Sequence, residues 1–340
     1  MSKVTAGIIG GGRIGQLHAD NLIQSPYYQL RSISDIHISH LEGTVYEKEA
    51  IITTNPNDLF LDPEIDAIFI CSSTDTHVDF IKRAAQAGKH VFCEKPVSFQ
   101  IEETREALQV VKDAGVNFQV GFNRRYDKHF RKVFETVRSG TIGEPHVIKV
   151  TSRDPEAPPE AYIQRSGGMF MDMTIHDFDM IRYLSGKEVV DVTVKAANLI
   201  DEKFKRNDDV DTAIITLTFE DGSLGVIDNS RQAAYGYDQR IEVFGDKGVV
   251  SAENEQNTTV KISTRESVSS DHPKYFFLDR YKEAYVEEVR DFALSILEQK
   301  PLTCSGYDGL QAENLALAAR LSWQEGRTVT LSELIPVKID

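Results

Sequence analysis

Cysteine is scarce. Cys71, Cys93 and Cys304 are the only three in 340 residues, and none form a C-x-x-C pair. That excludes a disulfide framework and leaves no recognisable zinc site, so no metal is expected. Cys71 and Cys93 each end an apolar stretch and read as buried, reduced thiols of a cytosolic protein. Positive charge is also short, with 38 Lys and Arg against 53 Asp and Glu and a net charge of −15. An acid surplus without any basic run argues against nucleic acid as a partner and disfavours a highly anionic polymer as substrate. Long apolar runs are missing too. None reaches membrane-spanning length, and the first motif begins within ten residues of Met1, which leaves no expected room for a signal peptide. A cytoplasmic protein without a membrane partner is expected. The composition is that of a soluble globular chain, long enough to bury a large core and to split into two domains.

What is present starts at the amino terminus. Residues 4–9 are apolar and read as a buried strand. Gly10, Gly12 and Gly15 follow in the spacing G-x-G-x-x-G, with Arg13 and Ile14 between them. Ile14, Leu17, Leu22 and Ile23 then recur at roughly helical spacing. Strand, glycine turn and helix together form a dinucleotide-binding fingerprint. The first glycine allows the sharp turn, the second lets backbone approach a pyrophosphate, and the third lets helix and strand pack closely. The helix's amino end offers unpaired N–H groups to the same pyrophosphate.

A glycine pattern alone is weak, because an ordinary flexible loop can carry it. Here a second apolar strand, 30–34, ends at Asp35, about 20 residues beyond Gly15, where an acid binds the adenosine ribose hydroxyls. A 2′-phosphate would sit against this carboxylate, and like charges ~4 Å apart repel by roughly 1 to 4 kcal/mol. Ile36 and His37 follow, with no arginine to receive a phosphate, so NAD is favoured over NADP. A plain turn role is the alternative for Asp35.

Residues 1–122 alternate strands, at 4–9, 30–34, 67–71, 90–93 and 117–120, with helices that include 76–87 and 101–114. Gly88 and Gly115 end those two helices, as glycine often does. The succession predicts an α/β Rossmann domain with a doubly wound parallel sheet. Ligands of such sheets lie beyond the carboxyl ends of the strands, which selects 10–15, Asp35, 71–77 and 94–96 as rim segments.

Residues 123–340 read as a second, α+β domain. A charged helix at 126–138 and a strand at 144–152 lead to a proline-rich loop at 154–159 and a helix at 168–184. Strands then dominate, at 189–199, 210–219, 223–230, 239–244, 248–252 and 258–263, and helices at 279–298 and 307–324 close the chain. Turn signals at 221–222 and 246–248 imply antiparallel hairpins, hence a mainly antiparallel open sheet. One face of such a sheet needs a cover, which points to homo-oligomerisation.

Two polar constellations stand out. Lys95, in the run CEKPVS, lies just past a predicted strand end, where it could hold a substrate oxygen as a hydrogen-bonded cation. Taken alone it also reads as a solvated surface lysine. In GGMFMDMTIHDFDMIRYLSG, residues 167–186, a helix would place Asp172 and His176 at i and i+4 on one face, with Asp179 near it. A surface Asp–His pair or a partly buried structural histidine is the alternative.

The glycine fingerprint, CSSTDTH (71–77), EKP (94–96) and the Asp172/His176 helix together resemble the glucose–fructose oxidoreductase / inositol dehydrogenase family over essentially the full chain. GFNRRYD (121–127) and TSRDPEAPP (151–159) look most like its myo-inositol 2-dehydrogenase branch. The resemblance implies a two-domain, usually tetrameric enzyme with NAD in the amino-terminal domain, acting on a small cyclic polyol. It places the catalytic residues on Lys95, Asp172 and His176. It implies cofactor contacts at Gly10, Gly12, Arg13, Ile14, Asp35, Ser72, Ser73, His77, Glu94 and Lys95. Arg125, Asp154 and Tyr235 would join the catalytic three around the substrate, with Arg124 adjacent to Arg125 making that assignment ambiguous. The expected reaction oxidises one secondary alcohol, in the favoured case converting myo-inositol to 2-keto-myo-inositol. Scyllo-inositol, glucose or another sugar is an alternative substrate. A redox-neutral NAD-dependent glycosidase and a non-catalytic dinucleotide sensor are alternative classes, and the sensor would be expected to lack part of the Lys/Asp/His set.

Overall fold

A computed structural model describes residues 2–334. The described residues divide into two compact units, 2–126 with 283–313, and 127–282 with 314–334. The first differs from the sequence expectation of a contiguous second domain over 123–340. The helix Lys282–Leu297 carries Val289, Phe292 and Ala293 into the core of the first unit. Phe69 and Phe92 stack there with ring centroids 4.8 Å apart, and Phe292 meets Phe69 edge-on at 5.7 Å. Apolar periodicity marks a helix's buried face but not which core receives it.

Six parallel strands form the sheet of the first unit: β1 Val4–Ile9, β2 Tyr28–Ser34, β3 Ile51–Thr53, β4 Ala67–Ile70, β5 His90–Cys93 and β6 Phe118–Val120, in the order β3-β2-β1-β4-β5-β6. Every residue of β4 is buried, as expected of a strand covered on both faces. The order reverses beside β1, and the carboxyl ends of β1 and β4 flank that switch point, where ligands bind in open parallel sheets. The short strand β3 and the helices Val45–Glu49 and Asn57–Leu61 have no counterpart in the sequence reading. They are too short to show a period. Cys93 and Cys304 are buried and Cys71 is half-buried, and none of the three is in a disulfide.

The second unit is built on seven strands. They are β7 Pro145–Arg153, β8 Val189–Ala197, β9 Thr212–Phe219, β10 Leu224–Ser230, β11 Asp238–Gly245 and β12 Gly248–Ala252, with Val329–Thr330 at one edge beside β8. All pairings are antiparallel except the central β7 with β10, which run parallel. One face is packed by residues such as Ile148, Val150, Ile215, Leu217 and Ile227. The helix Ile175–Ser185 lies on that face, so close that a Cβ on Gly225 would stand 2.5 Å from Ile181 Cδ1. The alternate positions include Val190, Ile214, Leu224, Phe244 and Val249, all exposed. Residues 258–263, expected as one strand, instead give Lys261–Ser263, which pairs only with Val268–Ser270 in a separate exposed hairpin.

Candidate active site

In the first unit the glycine turn does what its spacing requires. Gly10 has φ +98°, and a Cβ there would stand 2.5 Å from Ser72 N. A Cβ on Gly15 would stand 1.8 Å from Gly10 O, so only glycine lets the helix Arg13–Gln24 start against the turn. Gly12 is different, for a Cβ there meets nothing within 4 Å. It caps the helix without a side-chain hydrogen bond, so no cap side chain satisfies the first-turn N–H groups. An unpaired helix amino end beside an open glycine is a cradle for a pyrophosphate.

The Asp35 carboxylate lies beside this turn. It accepts from Gly11 N at 2.6 Å and from His37 N at 2.8 Å. Arg31, the nearest arginine in sequence, pairs instead with Asp62 and Glu64 at 2.6 and 2.8 Å. Ser72 and Ser73 precede the helix Thr74–Gln86, and the Ser72 hydroxyl meets that of Thr76 at 2.7 Å. Glu94 Oε1 lies 2.8 Å from Nε2 of the fully buried His18. His77 is buried between two backbone carbonyls, with Nδ1 2.8 Å from Pro96 O and Nε2 3.0 Å from Ser72 O. Burial lowers its pKa against the pull of those carbonyls, which favours a neutral ring that donates to one of them. Lys95 follows β5 and is half-buried.

The structure buries Arg125, and its guanidinium donates to Thr303 O at 2.6 Å and to Asp308 Oδ1 at 2.9 Å. It thereby anchors the first turn of the helix Gly306–Glu325.

In the second unit the polar groups gather where the parallel strands β7 and β10 end. Their register sets Arg153 opposite Ser230, so the next residues, Asp154 and Arg231, leave the sheet side by side. Arg231 is buried and bridges two carboxylates, Asp154 at 3.2 Å and Asp172 at 3.0 Å. Burial lowers its pKa most, but Asp172, Asp154 and Asp209 together outweigh that and leave it raised, a fixed cation. The Tyr162 hydroxyl donates to the other Asp172 oxygen at 2.8 Å. Tyr235 lies in a neighbouring network, donating to Asp238 and accepting from Arg153 at 3.0 Å.

The expected continuous helix carrying Asp172 and His176 is broken. Gly168–Asp172 ends, Met173 and Thr174 intervene, and Ile175–Ser185 begins. The Met169 carbonyl accepts from both Met173 N and Thr174 N at 2.9 Å, which shifts the ladder by one residue. A buried side-chain network pins the new start. Ser152 Oγ donates to Asp177 Oδ1 at 2.6 Å, Asn229 Nδ2 to Asp177 Oδ2 at 2.8 Å, and Thr174 Oγ1 to Asn229 Oδ1 at 2.6 Å. His176 is therefore set by its buried neighbours on β7 and β10 as well as by helical spacing. Asp179 is fully buried.

Tyr162 and Arg231 were not singled out in the sequence. Tyr162 sits on the helix Glu160–Ser166, between the expected loop at 154–159 and the expected helix at 168–184, although Pro159 followed by Glu160 is a helix-start signal. Arg231 carries no local signal, because its partners arrive through strand register. Among the described residues no group of three or more His, Cys, Asp or Glu is placed to hold a metal ion, and no helix is long and apolar enough to cross a membrane.

Comparison with known proteins bears directly on this geometry. Residues 4–122 match the model of an oxidoreductase family with an NAD-binding Rossmann fold, and residues 130–251 match the GFO/IDH/MocA C-terminal domain. The chain belongs to the GFO/IDH/MocA oxidoreductase family. It is 52% identical over 330 residues to the oxidoreductase YrbE of Bacillus subtilis, covering 97% of each chain. It is 46% identical over 331 residues to the myo-inositol 2-dehydrogenase of Thermotoga maritima, covering 97% of this chain and 99% of that one. Among solved structures it resembles a scyllo-inositol dehydrogenase of Lactobacillus casei with bound NAD(H) and scyllo-inositol. That likeness has a TM-score of 0.90 and 30% identity, over 97% of this chain and all of that one. This GFO/IDH/MocA oxidoreductase takes NAD as its cofactor, and the open turn at Gly12 with Asp35 beside it suits the pyrophosphate and ribose of that group.

Proposed function

We propose that this oxidoreductase is an inositol 2-dehydrogenase that converts myo-inositol to 2-keto-myo-inositol. The observation that carries the reading is the full-length similarity to the Thermotoga maritima myo-inositol 2-dehydrogenase. The charged cluster around Arg231 supports it. A polyol loses many hydrogen bonds to water on entry, and Asp154, Asp172 and Arg231 offer fixed acceptors and donors in return.

His176 acts as the general base for the substrate hydroxyl. Asp172, itself held by Arg231 and Tyr162, orients the imidazole and stabilises its protonated form. Lys95 holds the reacting oxygen and stabilises negative charge on it. Gly10, Gly12, Arg13, Ile14 and Asp35 hold NAD, with Ser72, Ser73, His77 and Glu94 along its rim. When bound, NAD supplies the acceptor for the hydride that leaves the alcohol carbon. The division of labour follows from acidity. Moving a proton fully from an alcohol about as acidic as water, near ~15.7, to a histidine near ~6.5 spans about nine units, roughly 12 kcal/mol. Proton removal must therefore overlap with oxidation, and Lys95 must lower the energy of the developing alkoxide.

The exposed apolar positions Val190, Ile214, Leu224, Phe244 and Val249 support a homo-oligomer, with a tetramer favoured. Three cysteines outside any disulfide fit a reducing compartment such as the cytoplasm. The test is a panel assay following reduced nicotinamide with NAD or NADP and myo-inositol, scyllo-inositol, other inositol isomers or glucose. Reduction of NAD with myo-inositol above all others is expected. Preference for another polyol replaces the substrate, and NAD binding without reduction overturns the dehydrogenase reading.

A further inference from the structure

Glu313 takes no part in the chemistry above, yet it is fully buried among backbone donors. Its Oε1 accepts from Val97 N at 2.7 Å and from Ser98 N at 3.2 Å, and its Oε2 accepts from the Thr104 hydroxyl at 2.7 Å. Those amides belong to the second and third residues after Lys95. The carboxylate arrives from far along the chain, on the helix Gly306–Glu325. Gly306, Gly309 and Glu313 recur at i, i+3 and i+7, so they share one face. Both glycines are needed for the approach. A Cβ on Gly306 would stand 2.3 Å from Leu108 Cδ2, and one on Gly309 would stand 3.0 Å from Val120 Cγ2 and 3.3 Å from Val97 Cγ2. On the other side, the carbonyl of Pro96 is met by His77 Nδ1 at 2.8 Å. The chain that leaves Lys95 is thus gripped at three consecutive residues, by a ring at one carbonyl and by a carboxylate at two N–H groups.

We propose that Glu313 is a positioning residue for Lys95, fixing the backbone at Val97 and Ser98 so that the lysine ammonium is held at the reacting oxygen. The role is geometric. Burial pushes the Glu313 pKa up to about 7, against the pull of the Thr104, Ser98 and Val97 donors. The group therefore works near neutral pH as carboxylate or carboxylic acid, and either form keeps an oxygen for the two amides. Reach matters more than charge, and this distinguishes the role from a purely electrostatic one. The inference rests on the assignment of Lys95 to the reacting oxygen.

The test compares Glu313→Asp, Glu313→Gln and Glu313→Ala in the NAD and myo-inositol assay, with NAD affinity measured separately. Gln keeps the reach and one acceptor oxygen, and its kcat should stay within about threefold of wild type. Asp keeps the charge but withdraws it by one methylene, and its kcat should fall about tenfold with NAD affinity within about twofold. Ala should fall at least as far as Asp where it folds. Unchanged kcat in Glu313→Asp overturns the proposal, as does a loss in Glu313→Gln equal to that in Glu313→Asp. Lys95→Met is run alongside. A kcat unaffected in Lys95→Met overturns the assignment of Lys95 itself, whereas a collapse there with an unaffected Glu313→Asp overturns only the role of Glu313.

Discussion

The glycine turn of the first unit and the acid–arginine cluster of the second both present polar groups, but they are made of different material. The turn offers backbone N–H groups, and what it needs from its residues is the absence of side chains at Gly10, Gly12 and Gly15. The cluster offers side chains only, and its central cation, Arg231, is set in place by the parallel register of β7 and β10. A backbone site is specified by a few neighbouring residues. A side-chain site is specified by a whole sheet. The first should therefore fail through added atoms, and the second through removed charge.

The largest effect should come from the cluster. Arg231→Met leaves Asp154 and Asp172 without their shared cation. Removing one partner of a buried ion pair costs about 3 to 5 kcal/mol, and the low end applies here because both carboxylates retain some contact with water. Loss of the held Asp172 should lower kcat about 10²-fold, while NAD affinity, measured by fluorescence titration, stays within about twofold. Weakened NAD binding in this variant would break the contrast.

Next is the turn, where two alanines separate fold from ligand. Gly15→Ala drives a methyl into Gly10 O and should lower both melting temperature and NAD affinity. Gly12→Ala meets no protein atom, so the melting temperature should hold while NAD affinity falls about tenfold. Equal thermal loss in the two would mean that Gly12 serves the fold and not the cofactor.

The smallest effect sharpens the cluster. Tyr162→Phe removes one donor from Asp172 and leaves the Arg231 bridge intact. A single hydrogen bond of this kind contributes about 1 kcal/mol, so kcat should fall about fivefold or less. A loss matching that of Arg231→Met would make Tyr162 an equal partner in the site.

The same contrast explains what was legible in the amino-acid sequence. The strand Val4–Ile9, the helix Ile101–Ala114 and the glycine turn lie where their local patterns place them, because each is decided by residues adjacent in the chain. The family resemblance holds for the same reason, since motifs are local. Arg231 was invisible because nothing near it in sequence names Asp154 or Asp172 as its partners. The contacts of Arg125 with Thr303 and Asp308 were hidden because those residues lie on a segment whose return to the first unit has no local signal. The break between Asp172 and His176 was hidden by a run of residues that would all tolerate one continuous helix. It is imposed by the Asp177, Asn229 and Ser152 network beneath it.

The distribution of sulfur has a practical consequence. Cys71, Cys93 and Cys304 all belong to the first unit, and the second has none. Burial, reinforced by nearby acids, pushes the Cys71 and Cys93 thiols well up, so in the folded protein they are scarcely ionised and slow to react. An alkylating reagent in solution therefore acts as a stopwatch for one half of the molecule. Its uptake at the buried Cys93 and Cys304, counted by mass, times the opening of the nucleotide-binding half, and a ligand that slows the count stabilises that half against opening.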